Sequence, residues 1–185
     1  MTSMLSARDP VHFLPLIASD IRAKAQWLYG AVSGRTVLKA LFTDGTFAMI
    51  TYRLMQTFQR WRLTPLAMIC NKANVVFGQC IIGRGARFGP EFVLVHSQGV
   101  VINSAVCGGR RVVLEQQVTL GAEKGRAPVL GDGVFVGTGA KILGGVRIGS
   151  DVRIGANAVV VDDVPDHSTA VGVPARLVNT GIARE

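Results

Sequence analysis

The chain holds three histidines, His12, His96 and His167, and three cysteines, Cys70, Cys80 and Cys107. Histidine ordinarily titrates near neutral pH, which suits it to act as a general base on a hydroxyl. His12 falls in a stretch near Pro10 and Pro15 that reads as weakly ordered, and His167 in an Asp/Pro-rich turn. Surface placement without a role is expected for both. His96 differs. It stands within Val95-His96-Ser97-Gln98-Gly99-Val100, two places after Leu94, an aliphatic residue expected to point inward. Its ring then projects from a strand wall, either as a structural side chain or as a base acting on a hydroxyl. Neither Ser97 nor any cysteine has the activating partners that nucleophilic catalysis needs. The histidines are too dispersed for a three-His zinc site, and no metal is expected. An odd number of cysteines without metal-like spacing reads as reduced thiols in a cytoplasmic protein.

The elements that must position His96 follow from a six-residue beat. Aliphatic or aromatic residues recur at Val76, Ile82, Phe88, Leu94, Val100, Val106, Val112 and Val118, then at Leu130, Val136, Ile142, Ile148, Ile154 and Val160. Six is neither a helical period nor a strand alternation. It is the signature of a parallel β-helix, in which three hexads complete a triangular coil with the aliphatic residue inside. Coils stacked at about 4.8 Å satisfy one another's backbone, and no coil can bury its own core alone. About five coils are expected. The polar, glycine-rich segment Gly121–Pro128 lacks an anchor and reads as an excursion from the prism, the kind of loop in which function resides.

Residues 1–75 read as a helical region, 76–178 as the β-helix with a C-terminal fold-back, and 179–185 as a mobile tail. Asp20 is expected to cap a helix that runs to about Val32. A second helical stretch begins near Thr36 and breaks at Thr43-Asp44-Gly45. A third spans Thr46–Arg62, with Phe47, Ile50, Leu54, Phe58 and Trp61 on one face. Thr64-Pro65 opens a fourth, to about Lys72. The net charge is +8. It is concentrated in residues 1–75, where nine Lys/Arg face three acids. Such a region is either an ordinary solvated surface or one drawn to an anionic membrane surface or polyanionic substrate. No nucleic-acid motif or interleaved aromatic platform accompanies it. Neither a membrane-spanning run nor a secretory signal is read, so a cytoplasmic location is expected, with membrane contact at most peripheral.

An ordered set of motifs makes the reading specific: Ile82-Gly83-Arg84-Gly85, His96-Ser97-Gln98-Gly99-Val100-Val101-Ile102, Val118-Thr119-Leu120-Gly121, Gly137-Thr138-Gly139-Ala140-Lys141-Ile142-Leu143-Gly144 and Gly172-Val173-Pro174-Ala175-Arg176. Over roughly residues 40–178, including the Tyr52-Arg53 pair, this resembles the serine acetyltransferase family, in particular its polysaccharide-biosynthesis branch. The resemblance implies a left-handed parallel β-helix that assembles as a homotrimer, or as a dimer of trimers through the N-terminal helices. It also implies that acetyl-CoA lies in a groove between neighbouring prisms. His96 matches the family's base. Gly121, Ala122, Thr138, Arg153 and Ala156 match the groove, while Lys141, Arg153 or Arg176 could meet CoA phosphates or else lie on a solvated prism edge. A backbone N–H from the Val118–Gly121 wall is the expected oxyanion donor.

Several family positions differ. Val95 replaces the acid before the base, Ala127 the second histidine, and Val75 or Ile81 the acid that supports the imidazole. Glu115, on the next coil, is the candidate to orient His96 instead. Of the amino-acid-binding set Arg126 remains, while the helical Arg-Asp-Pro-Ala segment is missing; the family's C-terminal Ile, by which it docks into a partner enzyme, is not matched either. A lost charge-assisted pair costs about 1.5–3 kcal/mol, which disfavours serine. The expected activity is therefore acetyl-CoA-dependent O-acetylation of a sugar or glycan-precursor hydroxyl. Serine O-acetylation is the alternative within enzymes, and a non-catalytic β-helical scaffold the alternative outside them.

Overall fold

A computed structural model of the chain describes residues 13–178 of the 185. His12, most of the N-terminal stretch and the tail 179–185 lie outside the described residues. Four helices come first: α1 (Phe13–Tyr29), α2 (Gly34–Leu41), α3 (Thr46–Arg60) and α4 (Thr64–Val76). A three-sided solenoid follows. Numbered along the chain, one face carries β1 (Ile81–Ile82), β4 (Val101–Ile102), β7 (Thr119–Gly121), β10 (Lys141–Leu143) and β13 (Val159–Val160). The second carries β2 (Arg87–Phe88), β5 (Cys107–Gly108), β8 (Val129–Leu130) and β11 (Arg147–Ile148). The third carries β3 (Val93–Leu94), β6 (Val113–Leu114), β9 (Phe135–Val136), β12 (Arg153–Ile154) and β14 (Thr169–Val171), with β15 (Arg176–Val178) turning back antiparallel on β14. Four regular turns result. A fifth shrinks to β13, an isolated bridge at Val164, and β14.

The six-residue beat is real, but it conceals two interruptions. Twenty residues separate Ile81 from its ladder partner Val101, eighteen separate Val101 from Thr119, and twenty-two separate Cys107 from Val129. The first excess lies in the corner between β3 and β4, which carries His96. The second is the excursion between β7 and β8. Together they add up to one hexad, so the periodic count regains phase at Leu130. In the second turn the inward strand residues are Ile102, Gly108 and Leu114, followed by Leu120 in the third. Val100, Val106, Val112 and Val118 are also fully buried, but at the corners. Val76 is no anchor: it ends α4 and is 66% exposed. Gly108 is the one strand slot without a side chain, because the Phe88 ring fills its place; a Cβ there would sit 2.4 Å from that ring.

The helical region differs from expectation in three respects. Asp20 lies inside α1 rather than at its start, since the helix is already formed at Phe13 and runs through Pro15. Helix α4 continues four residues beyond Lys72. The buried arc of α3 is Ala48, Met49, Tyr52, Arg53 and Met55, whereas Phe47 and Trp61 stay exposed. Arg53 can lie in the core because all its donors are matched. Its Nε donates to Asp20 Oδ2 at 2.7 Å, and its terminal nitrogens donate to the carbonyls of Phe88 at 2.9 Å and Gly89 at 2.6 Å. Asp20 Oδ1 accepts the Phe92 N–H at 3.0 Å. Tyr52 OH donates to the Ala86 carbonyl at 3.0 Å. These bonds fasten α1 and α3 to the first coil, on which His96 stands. Among the described residues no helix is long and apolar enough to cross a membrane.

Candidate active site

His96 occupies the lengthened corner, where two extra residues carry the chain outward before β4. Val95 stays buried while the His96 side chain is 48% exposed. The ring opens on a cleft of about 480 Å³ formed by three segments: the α2–α3 loop, the α4–β1 junction, and the stacked corners of the first two coils. Phe42, Phe47 and Phe77 supply an aromatic rim, and Thr43, Ser97, Gln79, Gln98 and Gln116 supply neutral polar groups. Among the described residues no lysine or arginine lines it.

The acid beside the imidazole is Asp44, whose Oδ2 lies 3.3 Å from His96 Nδ1. It comes from the helical region, 52 residues earlier in the chain. If Nδ1–H donates to Asp44, the ring's lone pair is on Nε2, free to meet a substrate. The loop bearing Asp44 is held from several sides. Thr43 and Thr46 hydroxyls donate to the Ala40 carbonyl at 2.8 and 2.7 Å, and the buried Lys24 ammonium donates to the Asp44 carbonyl. Burial pushes the Lys24 amine down to about 8, although the neighbouring Asp44 charge acts the other way. Gly45 adopts a left-handed conformation, φ +79°, with its backbone pressed against the Leu94 carbonyl. Only a residue without a Cβ fits there.

The other expected site residues distribute as follows. Glu115 stands opposite Val95 in the ladder, and among the described residues no hydrogen bond or ion pair joins it to His96. The orienting carboxylate in reach is that of Asp44. Thr138 and Ala156 share the corner of His96, two and three coils further on: Gln117 N donates to Gln98 O, Gly139 N to Gln116 O, and Asn157 N to Thr138 O, each at 2.8–2.9 Å. Gly121 ends β7, and Ala122 begins the excursion. Lys141 Nζ donates to the Gly139 carbonyl at 3.0 Å, near this corner. Arg153 belongs to another environment, its guanidinium 4.7 Å over the Phe135 ring, on whose face Trp27 of α1 also stacks. Arg176 lies in β15, 3.9 Å from Asp162. Arg126 is exposed at the tip of the excursion, where Glu123 and Arg126 pair as an antiparallel bridge, and it does not line the cleft of its own chain. The N–H of Thr119 donates to the Ala140 carbonyl at 3.0 Å, so this member of the Val118–Gly121 wall is committed to the ladder. His167 is 76% exposed and 3.7 Å from Asp151, as a surface residue should be.

A prism of parallel coils with one imidazole lifted from a corner, above smaller residues on the same edge, defines a hexapeptide-repeat transferase by class. Residues 127–162 match the family profile described as "Bacterial transferase hexapeptide (six repeats)". The serine acetyltransferase of Bacillus pumilus is 38% identical over 151 residues, covering 79% of this chain and 70% of the relative. Among solved structures, a serine acetyltransferase in complex with CoA superposes with a TM-score of 0.81 at 32% identity, covering 90% of this chain and 69% of the other. The soybean serine acetyltransferase complexed with serine gives 0.80 at 35% identity, covering 92% and 70%. The chain belongs to the hexapeptide-repeat transferase family, with serine acetyltransferases as relatives, and is an acyltransferase by that membership. The same superpositions bear out the left-handed β-helix.

Proposed function

We propose that the chain is an acetyl-CoA-dependent O-acetyltransferase whose acceptor is a neutral, hydroxyl-rich molecule, a sugar or glycan precursor. The character of the cleft supports this. Aromatic faces at the rim suit the C–H face of a pyranose, and carboxamides and hydroxyls suit its edge. Among the described residues the cleft offers no lysine or arginine for an acceptor's carboxylate. His96 Nε2 takes the proton of the attacking hydroxyl while its oxygen adds to the thioester carbonyl. The tetrahedral intermediate collapses, its C–S bond breaks, and the imidazolium returns the proton to the CoA thiolate. Asp44 holds the ring and stabilises its cationic form. Thr138 and Ala156 continue the His96 edge for about 14 Å, at one strand spacing per coil, a track suited to the pantetheine arm. The relative solved with CoA supports that cosubstrate. The assembly is a homotrimer, as the family resemblance implies. Outward apolar side chains on the prism, Ile81, Val101 and Val129, suit such contacts.

Serine is the second reading. The relatives' names favour it, and Asp44 is a carboxylate that could pair with an ammonium. Acetyl transfer from acetyl-CoA, measured side by side with neutral mono- and oligosaccharides and with serine, separates the two. Turnover of a sugar at a kcat/KM at least tenfold above serine supports the first, and the reverse ratio establishes the second. Absence of transfer to either acceptor, together with no stabilisation by CoA, would leave the scaffold reading standing.

A further inference from the structure

Given the acetyl transfer proposed above, on which this reading rests, one polar group of the cleft stands apart from the others, Gln116. Gln116 lines the same cavity as His96 and lies one coil further along its corner, between His96 and Thr138. The ladder fixes it there: Leu94 pairs with Leu114, and the Gln116 backbone carbonyl accepts from Gly139 N at 2.9 Å. Its side-chain Oε1 is buried and has no hydrogen-bond partner among the described residues. Of the carboxamide, only Oε1 is buried without a partner, which leaves the NH2 as the end available to the cleft that Gln116 lines. An amide held this way is poor for stability, because a buried acceptor without a donor costs free energy.

The geometry points to the Gln116 carboxamide as the donor that binds the thioester carbonyl oxygen and stabilises the oxyanion formed on it. Three observations converge. Gln116 is the first side chain that a thioester following the Thr138 edge meets before His96. The N–H of Thr119 on the nearby wall is already spent on the Ala140 carbonyl, and among the described residues no lysine or arginine lines the cleft to take the negative charge. As the acceptor oxygen forms its bond to the carbonyl carbon, the C=O π pair moves onto oxygen. That oxygen then accepts N–H from Gln116. When the C–S bond breaks, the pair returns to the carbonyl and the thiolate leaves with the proton held by His96. A donor fixed before the reaction stabilises this charge without reorganising.

The test is steady-state kinetics of Gln116→Leu and Gln116→Asn on the full chain, with acetyl-CoA and whichever acceptor the wild-type protein turns over. For Gln116→Leu, kcat is expected to fall about 10²-fold while KM for both substrates stays within about threefold, the pattern of a group used in the transition state. Gln116→Asn keeps a polar amide but withdraws it by one methylene, and should lose kcat comparably. It guards against a Leu variant that does not fold. Thermal melting and stabilisation by CoA should match the wild type in at least one variant. An unchanged kcat in a folded variant, or a rise confined to the acceptor KM, would overturn the assignment. In either case a wild-type enzyme whose turnover depends on His96 would leave the acetyl-transfer reading intact.

Discussion

Gly45→Ala is the substitution that most sharply tests how the site is built. The residue precedes α3, follows Asp44 and has φ +79°. Left-handed backbone costs a residue with a Cβ about 1–2 kcal/mol. A second cost is steric, since the new Cβ would sit 2.5 Å from the Leu94 carbonyl oxygen. Non-bonded contacts need about 3.5 Å, so something must retreat by about 1 Å. Leu94 belongs to β3, pinned in the parallel ladder, so the loop yields and carries Asp44 away from His96. Destabilisation of about 2 kcal/mol lowers the melting midpoint by about 4–8 °C for a chain of this size. A displacement of this order in a catalytic group costs about 10²-fold in kcat. Gly30→Ala separates the two effects: Gly30 has φ +69° with nothing within 4 Å of a new Cβ, so it should lose stability without losing activity. Calorimetry and acetyl-transfer rates on both variants provide the readout. A Gly45→Ala protein that melts early yet keeps full kcat would refute the role given to the Asp44 loop, and an unchanged midpoint would refute the packing itself.

Three further outcomes follow from buried or exposed charge. Lys24 has its amine lowered from 10.5 to about 8, so between those values the unfolded chain holds a proton that the native one lacks, and stability rises with pH. That interval corresponds to about 3 kcal/mol, a penalty fully present below pH 8 and relieved above it; Lys24→Met should flatten the pH dependence of chemical denaturation between pH 8 and 10. Arg53→Met leaves Asp20 buried without its partner and should cost about 3–5 kcal/mol, seen as a lower denaturant midpoint. Arg126→Ala should leave the acceptor KM unchanged when the acceptor is neutral, because Arg126 lies outside the cleft of its chain. A tenfold or larger rise with serine would instead place Arg126 of an adjacent protomer on an amino-acid carboxylate.

The solenoid and its base were legible because both rest on short-range pattern. A hexad repeats whatever lies around it, and His96 could be marked as outward from its distance to Leu94. What stayed hidden was long-range. Asp44 stood in the text as a break between two helices, and no local rule says that such a break folds onto a corner 52 residues away. The left-handed glycine after it was the available signal. The two- and four-residue insertions were masked because they sum to a hexad, so Val100, Val106, Val112 and Val118 looked like strand anchors while serving as corner residues. On α3 the apolar stripe suggested the packed face, but Arg53 won the interior through Asp20 and two coil carbonyls, bonds that span more than 30 residues. Gln116 carried no distinguishing neighbours in sequence. Only the stacking of corners brings it beside the imidazole.

The most direct measurement is the rate of thioester consumption by His96→Asn compared with the wild type, at saturating acetyl-CoA and acceptor, with CoA-induced thermal stabilisation as the control for an intact groove. A base that removes the hydroxyl proton in the transition state is worth about 10²–10⁴-fold, so the variant should bind CoA normally and turn over at least two orders of magnitude more slowly. A folded His96→Asn protein within about twofold of the wild-type rate would mean that the proton leaves by another route.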